Sequence, residues 1–253
     1  MNNKSTNENK STNQPNSNNQ PNEELFKNYR KLTLDDTFQF NCLTCGKCCK
    51  HREDILLNAK DVFNMSKELN ISIPELIKTY CDAYIGRDSR IPVVRILPRG
   101  NVQRCPFLKS NKCLVHQAKP SICALFPLGR VSELDPDKSQ HTLEYIVPKE
   151  YCHQDTNTYT VREWLEMFNI PVNDEFYHLW SNALYKIGTF IRNSEKYLFE
   201  KTTLEMLYNA TYFLLYIKYN LEEDFLEQFK ANIKELFSVI DTIEMLSSHI
   251  KES

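Results

Sequence analysis

The chain has 253 residues, of which 41% are hydrophobic and 25% charged, enough to form a real core in one large domain or two smaller ones. Its net charge of −2 argues against general nucleic-acid binding, which requires a basic surplus to neutralise phosphates. The longest apolar stretch, residues 212–217, is far shorter than the roughly 20 residues that span a bilayer. The N-terminal residues also lack the apolar core and cleavage site of a secretory signal, so we expect a cytoplasmic protein without a membrane span.

The N-terminal segment, residues 1–24, consists mainly of Asn, Ser, Thr, Gln and Lys. Such a composition cannot bury enough apolar surface to offset the entropy of ordering, which predicts a disordered tail. Residues 25–170 then contain all nine cysteines of the chain. Four of these lie in the run Cys42-x-x-Cys45-x-x-Cys48-Cys49, where Gly46 allows the positive φ of a tight metal-binding turn.

After this run the pattern predicts two helices and a strand. Apolar residues at helical spacing predict a helix over 58–70, and Ser72 followed by a proline and a glutamate predicts a second helix that extends to residue 84. On that second helix Ile77, Cys81 and Tyr84 would share a face, so Cys81 is expected in the core rather than at a metal site. Residues 93–97 are expected to form a strand.

The remaining four cysteines are widely spaced along the chain and lie near predicted turns or ends of secondary structure. Turns at residues 99–101 and 110–111 predict a small antiparallel element with Cys105 and Cys113 near its ends. Residues 119–121 start a short helical turn that contains Cys123, and Cys152 follows a strand predicted at 143–147. Thr160 and Glu163 form the pattern of a capping box, which predicts the start of another helix.

From about residue 171 the sequence is typical of a helical bundle. Apolar residues recur at i, i+3, i+4 and i+7 over 174–192, 203–219 and 222–250. We therefore predict an α+β fold with three segments: a disordered tail (1–24), a cysteine-rich metal-binding domain of short antiparallel strands and helices (25–170), and a helical C-terminal region (171–253).

The cysteine spacing indicates a metal site. Disulfides do not persist in a reducing compartment, and nine is an odd number for a closed disulfide framework. The candidate ligands are Cys42, Cys45, Cys48, Cys49, Cys105, Cys113, Cys123 and Cys152. Eight thiolates suit two tetrahedral zinc sites, or one iron–sulfur cluster with supporting thiols. The side chains of neighbours such as Cys48 and Cys49 usually diverge, so each fits better at a different centre, or only one of them ligates.

Basic and histidine side chains surround these cysteines. The cations Lys47, Lys50, Arg52, Arg104, Lys109 and Lys112 either offset the charge of bound thiolates or form a solvated surface. His51, His116 and His153 lie within three residues of a candidate ligand, and either of the last two could replace a sulfur at zinc. Thiol redox exchange through Cys42 and Cys45 is a further alternative, which requires an exposed thiolate of low pKa.

Several sequence strings together resemble one known family. These are Cys42-Leu-Thr-Cys-Gly-Lys-Cys-Cys49, Arg52-Glu-Asp-Ile55, Cys105-Pro-Phe-Leu108, Cys113-Leu-Val-His116 and Cys123-Ala-Leu-Phe-Pro-Leu-Gly-Arg130. Their order and neighbours are similar to the YkgJ-type family of zinc- or iron-chelating proteins with a CxxCxxCC motif, over about residues 38–170. The family commonly has arginine where this chain has Ala124, so an anion-binding role is not expected there.

The resemblance implies a zinc, iron or iron–sulfur domain. Since the family includes the flagellin lysine N-methylases, it also implies a candidate enzyme activity, the transfer of methyl groups from S-adenosylmethionine to lysines of a protein substrate. Fold-level similarity does not fix activity. A third hypothesis is therefore a metal-stabilised scaffold whose helical region binds a protein partner.

Overall fold

The computed structural model describes residues 26–135, 140–152, 157–196 and 201–251, and the predicted tail at 1–24 and His153 lie outside this range. The described residues form an α+β fold, as predicted. The strands are β1 (Tyr29–Leu32), β2 (Thr37–Gln39), β3 (Leu56–Leu57), β4 (Cys81–Ile85), β5 (Pro92–Ile96), β6 (Leu108–Lys109), β7 (Lys112–Cys113), β8 (Gly129–Asp135), β9 (Gln140–Pro148) and β10 (Thr158–Thr160). The α-helices are α1 (Ala59–Leu69), α2 (Ile73–Tyr80), α3 (Ser121–Leu125), α4 (Val161–Met167), α5 (Glu175–Lys196), α6 (Lys201–Tyr212) and α7 (Phe225–Lys251).

The strands pair in four small antiparallel sheets. The strand orders are β1-β9-β8, β10-β2, β3-β5-β4 and β6-β7. In the first sheet β9 is central, with Leu32 opposite Tyr145 on one side and Gly129 opposite Ile146 on the other. The β6–β7 hairpin turns through Ser110 and Asn111, both at positive φ, which matches the tight two-residue turn of such hairpins.

Polar caps fix the starts of three helices, each where the sequence predicts it. Asn58 forms a capping box with Asp61 at the start of α1, and Thr160 forms one with Glu163 at the start of α4. At α2 the side chain of Ser72 accepts a hydrogen bond from the backbone N–H of Glu75.

One helix is shorter than predicted. Helix α2 ends at Tyr80, and Cys81–Ile85 forms strand β4, which pairs along its whole length with β5. The helical spacing of Ile77, Cys81 and Tyr84 is therefore misleading, and Tyr84 is exposed. Pairing with the next strand, β5, overrides the local periodicity here. The prediction that Cys81 is a core residue is nevertheless confirmed, because only 8% of it is exposed.

Two hydrophobic cores position the cysteine-rich region. The larger core joins residues between Ile55 and Val115 to residues of the C-terminal helices between Phe176 and Ile240. The smaller core joins the N-terminal strands to β9, α4 and the segment after α3, around Phe38, Trp164 and Leu165. Since the C-terminal helices share a core with residues 55–115, the cysteine-rich region and the helical region pack directly on each other. The segment boundaries at 24 and 170 stay predictions.

The C-terminal helical region follows its prediction closely. Helices α5, α6 and α7 correspond to the three predicted segments, and α6 continues into a π-helical turn, Phe213–Ile217, in place of a regular helix up to residue 219. Its buried aromatic residues pack edge to face, as in Phe176 with Phe229 and Trp180 with Tyr216. Each helix in the described part of the chain is too short or too polar to cross a lipid bilayer.

Candidate metal centre

The four clustered cysteines lie on a loop that ends in a single 3-10 turn. The turn comprises Lys47–Cys49 and is preceded by Gly46 in the left-handed conformation, with φ of 70°, as predicted. The backbone N–H of Cys49 donates to the carbonyl oxygen of Gly46 at 3.1 Å. Gly46 is buried, and a Cβ atom there would lie 3.2 Å from Cδ2 of Leu108. The turn therefore packs against the β6–β7 hairpin.

Backbone hydrogen bonds connect this turn to the next cysteines in the chain. The N–H of Cys105 donates to the carbonyl oxygen of Cys49 at 2.9 Å, and the N–H of Leu108 donates to the carbonyl oxygen of Cys105 at 3.1 Å. Leu108 lies opposite Cys113 in the hairpin. Cys49, Cys105 and Cys113 are thus held in one small unit by main-chain contacts.

Helix α3, which contains Cys123, is held in place by polar contacts from two other helices. The carboxylate of Asp61 accepts hydrogen bonds from the backbone N–H of Ser121 at 2.9 Å and from its hydroxyl at 2.8 Å. On the other side, the indole N–H of Trp164 donates to the carbonyl oxygen of Leu125 at 3.1 Å. The contact between Asp61 and Ser121 was not predicted from the sequence, although the capping box at the start of α1 places Asp61 at a defined position.

Cys152 packs against the smaller core. Burial raises the pKa of its thiol first, and the negative charges of Cys45, Cys48 and Cys42 raise this pKa further. Cys42 and Cys48 are exposed, whereas Cys45 and Cys152 are half-buried. The loop that carries the clustered cysteines therefore lies near Cys152.

The sulfur atoms of Cys48 and Cys49 lie 3.8 Å apart and share a hydrogen bond. This bond lowers the pKa of the Cys48 thiol and raises that of Cys49. Burial and the charges of Cys48, Cys105 and Cys123 further raise the pKa of Cys49. Cys48 is therefore the thiolate of the pair, and the S–H group of Cys49 stabilises it by a hydrogen bond.

Positive charges close to the thiols offset part of their negative charge. Lys119 and Arg52 add to the lowering of the Cys48 pKa, which its hydrogen bond to Cys49 dominates. Burial raises the pKa of Cys113, and the charge of Lys119 opposes that shift. The sequence predicts Arg52 as one of the cations near the thiols, whereas Lys119 was not predicted. Lys119 precedes α3, so its position depends on the same contacts that hold Cys123. His116 is exposed, and the charge of Lys119 lowers its pKa, which favours the neutral imidazole.

All eight candidate ligands lie in the described residues, and backbone and electrostatic relationships bring them to one region of the fold. Their side chains do not converge fully: within the described ranges, no three His, Cys, Asp or Glu side chains are arranged so that they could hold one metal ion. The donor chemistry itself fits a soft metal, because clustered thiols flanked by cations are the ligands that zinc and iron–sulfur clusters use. The thiols lie close enough to shift one another's pKa values, although their sulfur atoms do not surround a common point. Both statements hold, since rotation about χ1 moves a cysteine sulfur without moving the backbone.

Comparison with known proteins agrees with this description. Residues 41–153 match the family model CxxCxxCC, described as "Putative zinc- or iron-chelating domain", and this match confirms the resemblance to the YkgJ-type family. An uncharacterised protein of Methanocaldococcus jannaschii is 28% identical over 109 residues, which are 41% of this chain and 54% of that protein. The chain therefore spans about half the length of the curated relative that it matches. No solved structure gives a significant match.

Proposed function

We propose that the chain binds zinc or iron through cysteine thiolates that converge from four separate segments. The ligands in this proposal are Cys42, Cys45, Cys48, Cys49, Cys105, Cys113, Cys123 and Cys152. The observation that supports it best is the hydrogen bond between Cys105 and Cys49, which brings two distant cysteine segments together through main-chain atoms. Rotation of the thiol side chains about χ1 would complete the convergence.

A metal bound by these cysteines would connect the larger hydrophobic core to the smaller one. Cys105, Cys113 and Cys123 pack against the larger core, whereas Cys152 packs against the smaller one. Because a preformed thiolate site does not exist in the unfolded chain, metal binding energy becomes folding energy, on the order of 10 kcal/mol for a structural zinc ion. We therefore propose a mainly structural role for the metal. The lysine N-methylase and partner-scaffold hypotheses stay predictions from the sequence.

The proposal is tested by metal analysis of protein purified without oxygen, together with an absorption spectrum. Zinc in a colourless protein supports a tetrahedral thiolate site. Iron with acid-labile sulfide in a brown protein supports an iron–sulfur cluster. A folded protein without either metal would overturn the proposal. A Cys81→Ala variant is the control, because Cys81 is buried in the larger core and should leave the metal content unchanged.

A further inference from the structure

We propose that the surface around the cysteine segments is a docking site for an acidic protein segment. Six cations form this site, which we call the basic face: Lys47, Lys50, Arg99, Arg104, Lys109 and Lys112. Two of them, Lys47 and Lys50, directly flank Cys48 and Cys49 in the sequence. The cations would act in the same way whichever metal the thiols bind.

Acidic residues are missing from the segments that carry the basic face. Residues 37–52 and 89–132 contain no Asp or Glu, although the whole chain has 33 acidic and 31 basic residues. The second segment alone contains eight Lys and Arg residues. Positive charge is therefore concentrated on the cysteine segments of a chain whose net charge is −2.

Cross-strand pairs within the basic face join like charges. Lys50 lies opposite Arg104, and Arg104 also lies opposite Arg99, so that Arg104 is the middle of a row of three cations. In the β6–β7 hairpin Lys109 lies opposite Lys112. Like charges directly opposite each other in an antiparallel pair are destabilising. Since the stability of the fold does not favour this arrangement, it indicates recognition of a negatively charged partner.

The described part of the chain does not neutralise these cations. The four lysines of the basic face form no ion pair with a described carboxylate, and the neighbouring Asp54 and Glu53 pair with Arg52 and Arg95 instead. The Nε atom of Arg104 is buried and has no hydrogen-bond partner among the described residues. Carboxylates of a bound partner would supply the missing negative charge.

Contacts between segments gather the cations around the 3-10 turn. A Cβ atom on Gly46 would lie 3.5 Å from Oδ1 of Asn111, so the turn touches the tip of the β6–β7 hairpin, between its two lysines. The row of three cations lies beside the same turn, because the N–H of Cys105 donates to the carbonyl oxygen of Cys49 at 2.9 Å. The basic face is therefore one continuous region of the fold.

Exposed apolar side chains on the same segments favour a protein as the partner. Within residues 37–52 and 89–132 every exposed large apolar side chain is aliphatic: Leu43, Leu97, Val102, Leu114 and Ile122. Exposed aliphatic side chains mark protein contacts, whereas single-stranded nucleic acids stack their bases on aromatic side chains. Charge complementarity then requires the surface of the protein partner to be acidic.

The test measures peptide binding to the full chain, purified without oxygen together with its metal. The probe is a short fluorescent peptide in which glutamates alternate with leucines, and binding is followed by fluorescence anisotropy. We expect this peptide to bind at low ionic strength and to be released by added salt. A peptide with glutamine in place of each glutamate should not bind.

The lysine pair of the hairpin supplies the decisive variant. Lys109→Gln/Lys112→Gln should weaken binding of the acidic peptide by roughly 2- to 30-fold, through the loss of two exposed ion pairs. The matched control, Lys31→Gln/Lys186→Gln, changes the net charge equally but removes lysines outside the basic face, and it should bind the peptide like the unaltered chain.

Arg104→Gln tests the row of three cations. It should also weaken peptide binding, and the backbone contacts of Arg104 with Arg99 should persist because they involve main-chain atoms alone. If this variant does not fold, the lysine double variant decides, since both of its lysines are exposed.

Four results would overturn the docking site. An acidic peptide that does not bind contradicts it directly, and equal weakening in the lysine variant and its control means that only net charge matters. Tighter binding of a single-stranded oligodeoxynucleotide would identify a nucleic-acid surface, and displacement of the peptide by an equal concentration of inorganic phosphate would identify a small-anion site. A chain that binds the acidic peptide but neither zinc nor iron contradicts the proposed function and upholds the docking site.

Discussion

Cys105 donates its backbone N–H to the carbonyl oxygen of Cys49, and the adjacent residues Lys50 and Arg104 extend this contact as an isolated β-bridge. The contact joins the loop of clustered cysteines to the segment that leads into the β6–β7 hairpin. It depends on main-chain atoms alone, so substitution of either thiol by a hydroxyl leaves the hydrogen bond intact. Serine variants at these positions can therefore report on metal binding separately from backbone geometry.

Metal removal should destabilise the fold. The free energy that a structural zinc ion contributes, on the order of 10 kcal/mol, is comparable to the entire stability of a typical domain. We expect a chelator to lower the midpoint of thermal unfolding strongly, as measured by far-ultraviolet circular dichroism, and zinc or iron to restore it. An unchanged midpoint after complete metal removal would show that the metal has no structural role.

Gly46 should be more sensitive to substitution than Gly100, although both have a left-handed backbone with φ near 70°. Alanine in this conformation costs roughly 1–2 kcal/mol. At Gly46 the new Cβ would also lie 3.2 Å from Leu108, whereas at Gly100 nothing lies within 4 Å. In urea unfolding, Gly46→Ala should therefore lose more stability than Gly100→Ala, and only Gly46→Ala should weaken zinc binding. Equal losses would mean that the turn does not depend on its contact with the hairpin.

The buried ion pair between Arg130 and Asp174 should be costly to break. The guanidinium is 3% exposed, donates to the carboxylate at 3.0 Å and stacks 3.5 Å from the centre of the Tyr177 ring. Asp174→Asn leaves the arginine charge buried without its partner, which typically costs about 3–5 kcal/mol of unfolding free energy. The double variant Arg130→Met/Asp174→Asn should recover part of this loss.

The matched control for this pair is Asp35→Asn, which breaks the exposed pair of Asp35 with Arg162. An exposed pair contributes about 0–1 kcal/mol, so this variant should unfold at nearly the same urea concentration as the unaltered chain. If the two single variants lose the same amount of stability, burial does not determine the strength of the Arg130–Asp174 pair.

Asp61 should make stability depend on pH. Burial raises its pKa from 3.8 to about 6, against the opposing effects of hydrogen bonds from Ser121 and Asn58 and of the charge of Arg130. Between these two values the unfolded chain loses the proton that the folded chain keeps, so stability falls as pH rises from about 4 to about 6. Asp61→Asn should remove this component, seen as a smaller pH slope in urea unfolding over that window. An identical slope in both proteins would contradict the assignment.

The helix boundaries that depend on local chemistry could be predicted from the sequence. Asn58, Ser72 and Thr160 satisfy backbone N–H groups within three residues of themselves, so their effect is visible in a short window. Strand β4 could not be predicted in this way, because its partner β5 lies beyond a turn and its own residues match a helical spacing. The strands β1, β2, β3, β8 and β10 were missed for a related reason: all of them except β8 are short, and each of the five is defined by its pairing partner.

The cysteine spacing predicts the candidate ligands but not which of them folding brings close together. Whether Cys152 lies near Cys45 or near Cys113 depends on which core it packs against, and this is a property of the whole fold. Lys119 was missed for the same reason, because its charge acts on Cys48, which is distant in sequence. Cations adjacent to a cysteine in sequence, such as Lys47, can be predicted from the sequence. Cations that only folding brings close to a cysteine cannot.

Whether cysteine sulfurs hold the metal is tested most directly by X-ray absorption at the edge of the bound metal, on protein purified without oxygen. This measurement reports the type, number and distance of the atoms that surround the metal. Ligation by cysteine predicts a shell of about four sulfur atoms, at about 2.3 Å if the metal is zinc. A shell made only of nitrogen and oxygen atoms at about 2.0–2.2 Å would contradict it, because the cysteines would then not be the ligands.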